Sequence, residues 1–484
     1  MGKYYITTSI PYINDKPHIG FAMELIYADV LARYERQLGN EVIFSTGTDE
    51  HGGKIAEKAK EQGIAVKLYC DEISAKFLQL SKALNISNNR FIRTTDPGHE
   101  QRVGAIWKQL SKDIYKGHYV GWYCTGDEAF FNQTEVDANH GVCPAHNRPY
   151  EKVEEDNYFF KLSRYTDLIK QAIKSNAFLV LPKTRRNEIL ALLDRGLEDI
   201  SISRPKDKIN WGIGVPGDNT QVIYVWFEAL MNYITVLGYP EYADFKKFWP
   251  ANVQVIGKDI LRFHAAIWPA ILLSLNIPLP KVLYAHGFVT AEGKKMSKSL
   301  GNVIDPLVVI EKYGVDPFRY YMLRHIPSSS DGDFGWQKFS DSYNNELANE
   351  LGNLVQRTIA MTIKYFDGKV NNIPSSEHDT SAFREALGNC RFDRALDVIW
   401  DQVKALNQYI DEERPWDVAK TGDKIYLEEV IAYTISSVRE IAELLLPFLP
   451  SSAERIISAL GSDIITPIKG TLFPKFEEFD ESSR

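Results

Sequence analysis

One run of sequence, YYITTSIPYINDKPHIGFAMELIYADVLARYERQLGNEVIFSTGT, spans residues 4–48 and alternates between two kinds of pattern. Its ends, residues 4–10 and 41–48, are short apolar runs with β-branched and aromatic side chains, which favour strands. Between them, residues 21–39 carry apolar side chains at helical spacing and end at Gly39, a helix stop signal. A helix between two strands predicts neighbouring parallel strands in a doubly wound α/β sheet.

The rest of the chain divides into segments with different patterns. Strands and helices alternate to residue 114 and again over residues 221–290. Residues 115–220 contain short, aromatic, strand-like pieces with Gly, Asn and Pro, which predict an insertion that splits the α/β domain. From residue 341 the sequence is almost wholly helical in pattern. We therefore predict a split α/β domain followed by an all-α domain.

Length, composition and charge narrow the class of protein. A chain of 484 residues is too long for one hydrophobic core, and 44% hydrophobic with 25% charged residues is typical of globular proteins. No apolar stretch is long enough to span a membrane, Met1–Ile6 lacks a signal-peptide pattern, and four cysteines do not suggest a disulfide framework. We therefore expect a cytoplasmic protein without a membrane partner. The net charge of -8 argues against broad, charge-driven binding to DNA, while a local basic surface for RNA stays open.

PHIGF, residues 17–21, lies where the first strand and its loop give way to the helix. In an open parallel sheet, ligands bind beyond the carboxyl ends of strands, and helix N-termini there offer unpaired N–H groups to anions. Gly20 would let a nucleotide approach closely, and His18 could donate a hydrogen bond to phosphate. The alternative is that His18 only caps the helix and Gly20 only relieves crowding.

A second candidate for phosphate binding is AEGKKMSKSLGN, residues 291–302. Its lysines, Lys294, Lys295 and Lys298, lie in a loop that also contains Gly and Ser. Such a loop can close over a triphosphate and stabilise the charge that develops on departing pyrophosphate. The alternative is a solvated basic loop. No GxxxxGK[ST] pattern occurs, so this is not a P-loop.

Taken together, HIGF and KMSKS resemble the two signatures of class I aminoacyl-tRNA synthetases. Nearly the whole chain resembles the methionyl-tRNA synthetase family, because a set of blocks matches it in order: YYITTSIPY, GTDEHG, YVWFEALMNY, KDILRFHAAIWP, AHGFV, KMSKSLGN, DPFRYYMLR, NELANELGNLVQR and RPWDVA. The resemblance implies an ATP-dependent, AMP-forming methionine–tRNA ligase without a covalent nucleophile. Methionine and ATP, with Mg²⁺ on the phosphates, would give methionyl-adenylate and pyrophosphate. The methionyl group would then pass to the 3′ end of a methionine tRNA with a CAU anticodon.

The same resemblance gives each segment a role. A Rossmann-like catalytic domain would be formed by residues 1–114 and 221–290. A connective insertion would span residues 115–220 and contain a zinc-knuckle-like segment at 122–150. The KMSKS loop and a stem-contact region would follow at residues 291–340, and the anticodon-binding domain at residues 341–484. No appended dimerisation module is recognised, so we expect a monomer. The expected ATP-binding residues are His18, Gly20, Phe21, Gly257, Asp259, His286, Gly287, Lys295, Met296, Ser297 and Lys298. Those expected to be catalytic are His18, Gly20, Lys295 and Lys298.

Methionine is a long thioether, so its pocket should be apolar and aromatic, with the sulfur against ring edges. The family's pocket corresponds here to Ile10, Tyr12, Trp226, Ala229, Tyr233, Ile260, His264 and Trp268, with Asp49 for the substrate ammonium. Within each of the two later segments the spacing of three or four residues would place the pocket side chains on one helix face. For any one aromatic residue alone, ordinary core packing is the alternative.

Phe21 departs from the family's signature, which has a second histidine at this position. A phenyl ring cannot donate the hydrogen bond that a histidine gives to phosphate. Our hypothesis is that His18, Lys295 and Lys298 carry more of the transition-state charge in this protein, while Phe21 shapes the site.

Asn349, Asn353 and Arg357 recur every four residues near the start of the helical segment, with leucines on the opposite face. A helix that buries the leucines points this polar row outward, where amides and a guanidinium can read unpaired bases. Trp416 can stack on a base. The resemblance assigns these four residues to the CAU anticodon. The alternative is a polar helix face beside a core tryptophan.

The insertion contains a candidate metal-binding pattern, C-x-x-D followed by C-x-x-H, which comes from Cys124, Asp127, Cys143 and His146. Two such pairs can hold Zn²⁺ in a tetrahedral knuckle, although carboxylate is an unusual ligand in structural zinc sites. Family members with one knuckle have cysteine where Asp127 stands, and other members lack the metal. The sequence therefore leaves open both a zinc site and a knuckle without metal.

Two other functions stay open. Another class I synthetase, for leucine, isoleucine, valine or cysteine, would share both signatures. The first three usually need a large editing insertion, because binding distinguishes a methylene by only about 1–3 kcal/mol, and the insertion here is short. An RNA-binding paralogue without catalysis is motivated by Phe21, whereas the lysine loop, Asp49 and the pocket residues argue against it.

Overall fold

The structure is a computed structural model that describes residues 2–126, 129–131, 133–144, 147–294, 296, 302–375, 379–461 and 464–476. The chain divides into two units. Unit 1 comprises Met1–Pro17, Leu38–Lys82 and Ile86–His286, and unit 2 comprises His18–Gln37, Ala83–Asn85 and Gly287–Arg484. The five-part domain division expected from the sequence stays a prediction.

The strands, in chain order, are β1 (Lys3–Thr8), β2 (Glu41–Thr48), β3 (Arg90–Arg93), β4 (Ile114–Cys124), β5 (Ala129–Phe131), β6 (Val142–Cys143), β7 (Arg148–Pro149), β8 (Glu151–Phe160), β9 (Leu179–Leu181), β10 (Ile200–Ser201), β11 (Ser203–Pro205), β12 (Gly214–Val215), β13 (Asp218–Ile223), β14 (Val253–Gly257), β15 (Val282–His286), β16 (Val289–Ala291) and β17 (Gly332–Phe334).

The α-helices are α1 (Ile19–Gln37), α2 (Gly53–Glu61), α3 (Val66–Ala83), α4 (Pro97–Gln109), α5 (Gln133–Ala138), α6 (Thr166–Lys174), α7 (Lys183–Asp194), α8 (Val225–Ala229), α9 (Asn232–Thr235), α10 (Ala243–Phe248), α11 (Trp268–Ser274), α12 (Pro306–Tyr313), α13 (Val315–Arg324), α14 (Trp336–Ser342), α15 (Asn353–Phe366), α16 (Ser381–Gly388), α17 (Phe392–Glu413), α18 (Pro415–Thr421), α19 (Lys424–Leu445) and α20 (Pro450–Leu460). Short 3-10 turns cover Ser111–Asp113, Leu162–Tyr165 and Lys258–Ile260, and π-helical turns cover Phe263–Ile267 and Tyr343–Gly352.

The central sheet of unit 1 is parallel throughout and has the strand order β3-β2-β1-β14-β15-β9. Its strands are short runs rich in buried β-branched and aromatic residues; in β1, for example, residues 5–8 are all buried. The chain order reverses between β1 and β14, so their carboxyl ends form a switch point of the kind at which open α/β sheets bind ligands. The predicted doubly wound parallel sheet is confirmed.

The predicted insertion is built mainly from small antiparallel sheets. One of them has the order β10-β8-β4-β5, and β6 pairs with β7 in a hairpin. However, β9 lies inside the same stretch and pairs in parallel with β15 at the edge of the central sheet. Residues 212–217, GIGVPG, have the spacing of a dinucleotide turn but lie where β12 leads into β13, without the following helix that such a turn requires.

The part of unit 2 that follows residue 341 is helical, as predicted. Its long helices are amphipathic; α17, for example, buries Phe392, Ala395, Leu396, Ile399, Trp400, Val403, Leu406 and Ile410. Helix starts use ordinary caps: Asp305 accepts from the Leu307 N–H at 3.1 Å, and Pro306 is the first residue of α12. Among the residues that the structure describes, no helix is long and apolar enough to cross a membrane.

Candidate active site

An aromatic cluster in unit 1 brings together residues from both predicted pocket segments. The rings of Trp226 and Phe263 stack, with centroids 4.2 Å apart and planes inclined by 17°. Tyr233 packs against His264 and Trp268, whose ring centroids each lie 5.7 Å from its own. Aromatic side chains from two segments therefore meet, as expected at a site for an apolar ligand.

The backbone that carries these side chains differs from the predicted regular helices. The first segment is not one helix, because α8 ends at Ala229 and α9 begins at Asn232. The second segment passes through a 3-10 turn and the π-helical turn Phe263–Ile267 before α11 begins. The prediction that each set of side chains lies on one face of a regular helix was therefore wrong. Tertiary packing brings these side chains together instead. A π-helical turn inside a helix is frequent at functional sites.

Hydrogen bonds fix the orientation of Tyr233 and His264. The Tyr233 hydroxyl and His264 Nε2 share a hydrogen bond of 2.7 Å. His264 Nδ1 donates to the backbone oxygen of Ile260 at 3.0 Å. The Tyr5 hydroxyl donates to the backbone oxygen of Tyr233 at 2.8 Å, so the backbone of Tyr233 is held as well. These hydrogen bonds hold this wall of the pocket in place.

The loop after β1 and the end of β2 lie side by side. Ile10 and Tyr12 are half-buried there. Tyr12 and Asp49 form a parallel bridge: the Asp49 N–H donates to the Pro11 oxygen at 2.9 Å, and the Ile13 N–H donates to the Asp49 oxygen at 3.1 Å. The two chain segments thus hold the backbone of Asp49 from both sides.

The Asp49 side chain has the properties of a binding group for a cation. It is 3% exposed, and its Oδ1 atom has no hydrogen-bond partner in the described part of the chain. Burial and the nearby Glu228 carboxylate raise the pKa of Asp49 well above its usual value. A buried carboxylate oxygen without a partner is destabilising, and a bound ammonium group would satisfy it.

Sequence reasoning missed a set of buried polar groups near Asp49, which we call the Glu228 cluster. It consists of Glu228 on α8, His51 after β2 and His99 on α4. Glu228 Oε1 lies 2.8 Å from His51 Nδ1, and Glu228 Oε2 lies 2.9 Å from His99 Nε2. The available signal was a lone glutamate inside the otherwise uncharged run YVWFEALMNY.

Three expected nucleotide-binding residues lie at or just after the carboxyl ends of β14 and β15. Gly257 and His286 are paired in register at the two strand ends. A Cβ at Gly257 would lie 2.6 Å from Asp259 Oδ1, so the close approach of this carboxylate requires glycine. Asp259 is exposed. An exposed carboxylate at this edge of a sheet suits the hydroxyl groups of a ribose.

HIGF begins α1 in unit 2. The Gly20 N–H donates to His18 Nδ1 at 3.1 Å, so His18 does cap the helix. A capping Nδ1 is an acceptor, and the proton of the neutral ring is then on Nε2, which is a donor. A Cβ at Gly20 would come within 3.0 Å of His18 Cε1, so glycine permits this approach. Capping and phosphate binding are therefore compatible at one histidine, while Phe21 is buried, with 8% exposure.

A tight turn leads from β16 into the lysine loop. Glu292 and Gly293 have positive φ angles of 52° and 72°, and Ala291 and Lys294 exchange backbone hydrogen bonds across them. Asp333 supports the turn by accepting from the Gly293 N–H at 2.7 Å. The Lys294 side chain is exposed at the end of this turn.

Other expected ATP-binding residues follow or precede this turn. Lys295, Ser297 and Lys298 lie outside the described residues, and Met296 is half-buried. Gly287 lies against the backbone of a neighbouring segment, because a Cβ there would be 2.3 Å from the Ser330 oxygen. The roles of the two lysines thus stay predictions.

The predicted anticodon residues lie in unit 2. Asn349 and Asn353 are exposed, and the leucines predicted on the opposite face are buried. The Arg357 guanidinium lies over the Trp416 ring, 5.5 Å from its centroid, and pairs with Asp411 at 2.7 Å. Trp416 is half-buried rather than part of the core. A cation and an aromatic ring are therefore held together on the helical surface.

Two of the four predicted metal ligands are described. Cys124 and Cys143 are buried in one small cluster of the insertion. Asp127 and His146 lie outside the described residues, among which no group of three or more potential ligands is found. Two neighbouring buried thiols fit half of a tetrahedral zinc site, and the other half stays a prediction.

The comparisons with known proteins agree with this geometry. The family model described as tRNA synthetases class I (M) matches residues 4–359. A methionine–tRNA ligase of Rickettsia bellii is 42% identical, with 98% of this chain and 99% of that protein covered. One of Brucella suis is 41% identical, with 99% of each covered. The solved structure of Mycobacterium tuberculosis methionyl-tRNA synthetase in complex with methionyl-adenylate is 37% identical, with a TM-score of 0.91, and covers 98% of this chain and 100% of that one.

The family match extends over most of the chain, and the relatives match almost from end to end. The aromatic cluster, Asp49 and the HIGF helix start described above all lie within the matched residues. The chain belongs to the methionine–tRNA ligases, a family of class I tRNA synthetases.

Proposed function

We propose that this protein is a methionine–tRNA ligase. It activates L-methionine with ATP to give methionyl-adenylate and pyrophosphate, and it transfers the methionyl group to the 3′ end of methionine tRNA. The observation that carries the proposal is the buried Asp49 carboxylate, whose Oδ1 has no partner among the described residues, within the same unit as an aromatic cluster. An amino acid with an ammonium group and an apolar side chain satisfies both.

The amino-acid side chain is assigned to the cluster of Trp226, Tyr233, His264 and Trp268. The aromatic rings supply polarizable contacts, which favour a thioether. Ile10, Tyr12, Ala229 and Ile260 complete the assigned pocket. None of the residues assigned to this pocket is a Lys, Arg, Asp or Glu that would suit a charged substrate side chain.

Activation is an in-line displacement at the α-phosphorus of ATP. A carboxylate oxygen of methionine forms the new bond to phosphorus, the bond to the bridging oxygen breaks, and pyrophosphate leaves with the electron pair. His18, through its Nε2–H, and the two lysines Lys295 and Lys298 are assigned to the charge that grows on pyrophosphate. Mg²⁺ is brought on the phosphates of ATP as part of the substrate. Gly257, Asp259, His286 and Gly287 are assigned to the adenosine.

In the transfer step, a terminal ribose hydroxyl of the tRNA attacks the carbonyl carbon of the adenylate, and AMP leaves. The anticodon is assigned to Asn349, Asn353, Arg357 and Trp416. The exposure of Asn349 and Asn353, and the Arg357–Trp416 contact of 5.5 Å, support a surface that can hydrogen-bond and stack unpaired bases.

ATP–pyrophosphate exchange tests the assignment of the amino acid. We expect exchange with methionine, and at least about 100-fold lower kcat/KM with leucine, isoleucine, valine or cysteine, because the pocket must separate them without a large editing domain. Comparable exchange with one of these competitors would show that the amino acid has been misassigned.

A zinc ion on Cys124, Asp127, Cys143 and His146 stays a prediction, because only the two cysteines are described. Metal analysis of protein purified without added zinc decides it, and a clearly sub-stoichiometric value rules the site out. The monomeric state and the cytoplasmic location also stay predictions, and size-exclusion chromatography with light scattering tests the first.

A further inference from the structure

The Glu228 cluster joins three elements of unit 1 through one carboxylate. Glu228 is fully buried, and each of its oxygens lies within hydrogen-bonding distance of a different imidazole. One imidazole, His51, is two residues from Asp49, and the other, His99, lies on α4. Glu228 itself stands on α8 between the pocket residues Trp226 and Ala229. The cluster thus ties a wall of the pocket to the segment that carries the ammonium site.

The two imidazoles have different surroundings. His99 lies between Glu228, 2.9 Å from its Nε2, and the Thr235 hydroxyl, 2.8 Å from its Nδ1. His51 faces carboxylates with both nitrogens: Nδ1 is 2.8 Å from Glu228, and Nε2 is 3.5 Å from Glu100. Burial alone would lower the pKa of His51, but Glu228, reinforced by Glu100 and Asp49, raises it to about 10. His51 is therefore a cation at neutral pH.

The charges around Asp49 are balanced except for its own. The adjacent Glu50 is paired by the Arg93 guanidinium, with distances of 2.7 and 2.9 Å. Glu228 is paired by His51, and the two imidazoles hold its pKa below the usual value despite burial. Of the three buried carboxylates, Asp49 alone has an oxygen, Oδ1, without a hydrogen-bond partner among the described residues. A substrate ammonium can supply the donor that this oxygen lacks.

We infer that the Glu228 cluster is a positioning device for the amino-acid ammonium: His51 and His99 hold Glu228 so that its charge is cancelled next to Asp49, and Asp49 is left as the one carboxylate open to the substrate. This inference rests on the proposed function. It assigns Glu228, His51 and His99 as positioning residues, since none of them is required to touch methionine.

The inference predicts a specific effect of charge at His51. In His51→Asn, the amide nitrogen can replace Nδ1 as a donor to Glu228, but the positive charge is lost. Glu228 then repels the Asp49 carboxylate without compensation, and the pKa of Asp49 rises further. Asp49 is then protonated over a wider range of pH, so methionine binding weakens most at low pH. Other charges that face this group, Glu50 with Arg93 and the partly exposed Glu100, are unchanged in the variant.

The experiment is ATP–pyrophosphate exchange as a function of pH with His51→Asn, His99→Gln and His99→Ala. We expect His51→Asn to raise KM for methionine about tenfold at pH 7, the equivalent of one pKa unit, and to approach the wild type as the pH rises. KM for ATP and kcat should stay within about twofold. His99→Gln keeps a donor at the Nε2 position and should behave like the wild type, whereas His99→Ala should raise KM for methionine.

His118→Asn is the matched control. His118 also lies between two carboxylates, with Nδ1 2.8 Å from Asp156 and Nε2 3.1 Å from Glu154, but it is exposed on β4. The His118→Asn substitution should leave every kinetic constant unchanged. A wild-type enzyme that exchanges with methionine while His51→Asn shows no pH-dependent rise in KM for methionine overturns the inference alone. Equal changes in both KM values with a loss of thermal stability would also overturn it, since they indicate a merely structural role. No exchange by the wild type overturns the proposed function itself.

Discussion

Asp49 keeps a buried carboxylate oxygen without a partner among the described residues, and such a group lowers stability by about 1–3 kcal/mol. A fold gains nothing from this arrangement unless a ligand uses it. The neighbouring carboxylates Glu50 and Glu228 are both paired, so the lack of a partner is specific to Asp49. In the proposed role of Asp49, a loss of stability accompanies a place for the substrate, a combination frequent at functional sites.

Replacing Asp49 by Asn should separate these two properties. We expect methionine-dependent exchange to fall about 100-fold in kcat/KM, since a charge-paired contact is worth about 3 kcal/mol. Folding stability should not fall with it. Urea unfolding beside the exchange assay measures both, and a variant that is merely less stable, with unchanged kcat/KM, would contradict the role of Asp49.

The pH dependence of stability follows from the same residue. The pKa of Asp49 is raised in the folded protein, so the folded state binds a proton that the unfolded chain has already released. Stability of the wild type must therefore fall as the pH rises from the unfolded toward the folded pKa, and Asp49→Asn lacks this loss. We expect the two proteins to be about equally stable near pH 4 and the variant to be more stable near pH 8, as measured by urea unfolding at each pH. The opposite slope would contradict the raised pKa.

Phe21 has an equally specific consequence for the activation step. Phe21→His restores a donor in the first turn of α1, where charge on phosphate is to be stabilised, so kcat for activation should rise about tenfold with little change in KM for methionine. Phe21→Leu, which is apolar and lacks a donor, is the control and should not gain rate. A His variant that changes only methionine affinity would contradict the hypothesis that Phe21 costs this protein a phosphate contact.

At the scale of elements, a fully buried guanidinium joins parts of unit 2 that are far apart in sequence. Arg319 on α13 donates to the Phe448 and Pro447 oxygens at 2.8 and 2.9 Å, between α19 and α20. It also lies 2.8 Å from Asp29 on α1, the helix that begins with the HIGF segment. Arg33 shares the same carboxylate at 2.8 Å. One side chain thus joins α1 to the segment between α19 and α20.

Arg319→Met should destabilise the protein by about 3–5 kcal/mol, because it leaves buried carbonyl groups and part of the Asp29 charge without a partner. Arg394→Met is the matched control, since Arg394 is exposed and pairs with Asp397 at 3.2 Å one helical turn away. The control substitution should lower the free energy of unfolding, measured with urea, by less than about 1 kcal/mol. Equal effects of the two substitutions would show that the buried network contributes little.

The elements show where sequence patterns stop being sufficient. The first strands and α1 follow from hydrophobic periodicity, because their apolar residues repeat over long enough runs. The break between α8 and α9, and the π-helical turn at Phe263–Ile267, are set by packing and leave no local signal. The Glu228 cluster escaped prediction for the same reason, since its three members are distant in sequence and meet only in the fold.

At the scale of the whole molecule, amino-acid activation and tRNA selection should respond to different substitutions. Trp416 lies against Arg357 in unit 2, and the proposed role of both is to hold the anticodon. Trp416→Ala should lower kcat/KM for tRNA charging about 100-fold, because stacking contributes about 1–3 kcal/mol per base, and should leave pyrophosphate exchange unchanged. Tyr242→Ala, at an exposed ring of unit 1, is the control. Equal loss of charging and exchange would argue against an anticodon role.

The order of motifs along the chain predicted the fold and the family, because motifs in order constrain the whole chain even where each one alone is weak. Which side chains meet could be learned only from the structure, as in the contacts of Tyr233 with His264 and of Arg357 with Trp416. The same holds for the Asp49 Oδ1 atom, which has no hydrogen-bond partner among the described residues. The contributions of Lys295 and Lys298 still rest on the sequence, since both lie outside the described residues.

The most direct test is a single-turnover reaction of the purified protein with Mg²⁺-ATP, methionine and methionine tRNA. We expect methionyl-tRNA and AMP to appear together in equal amounts, and methionyl-adenylate to accumulate when tRNA is omitted. A protein that binds methionine tRNA but forms neither adenylate nor AMP would contradict this expectation, and would be an RNA-binding relative that has lost catalysis.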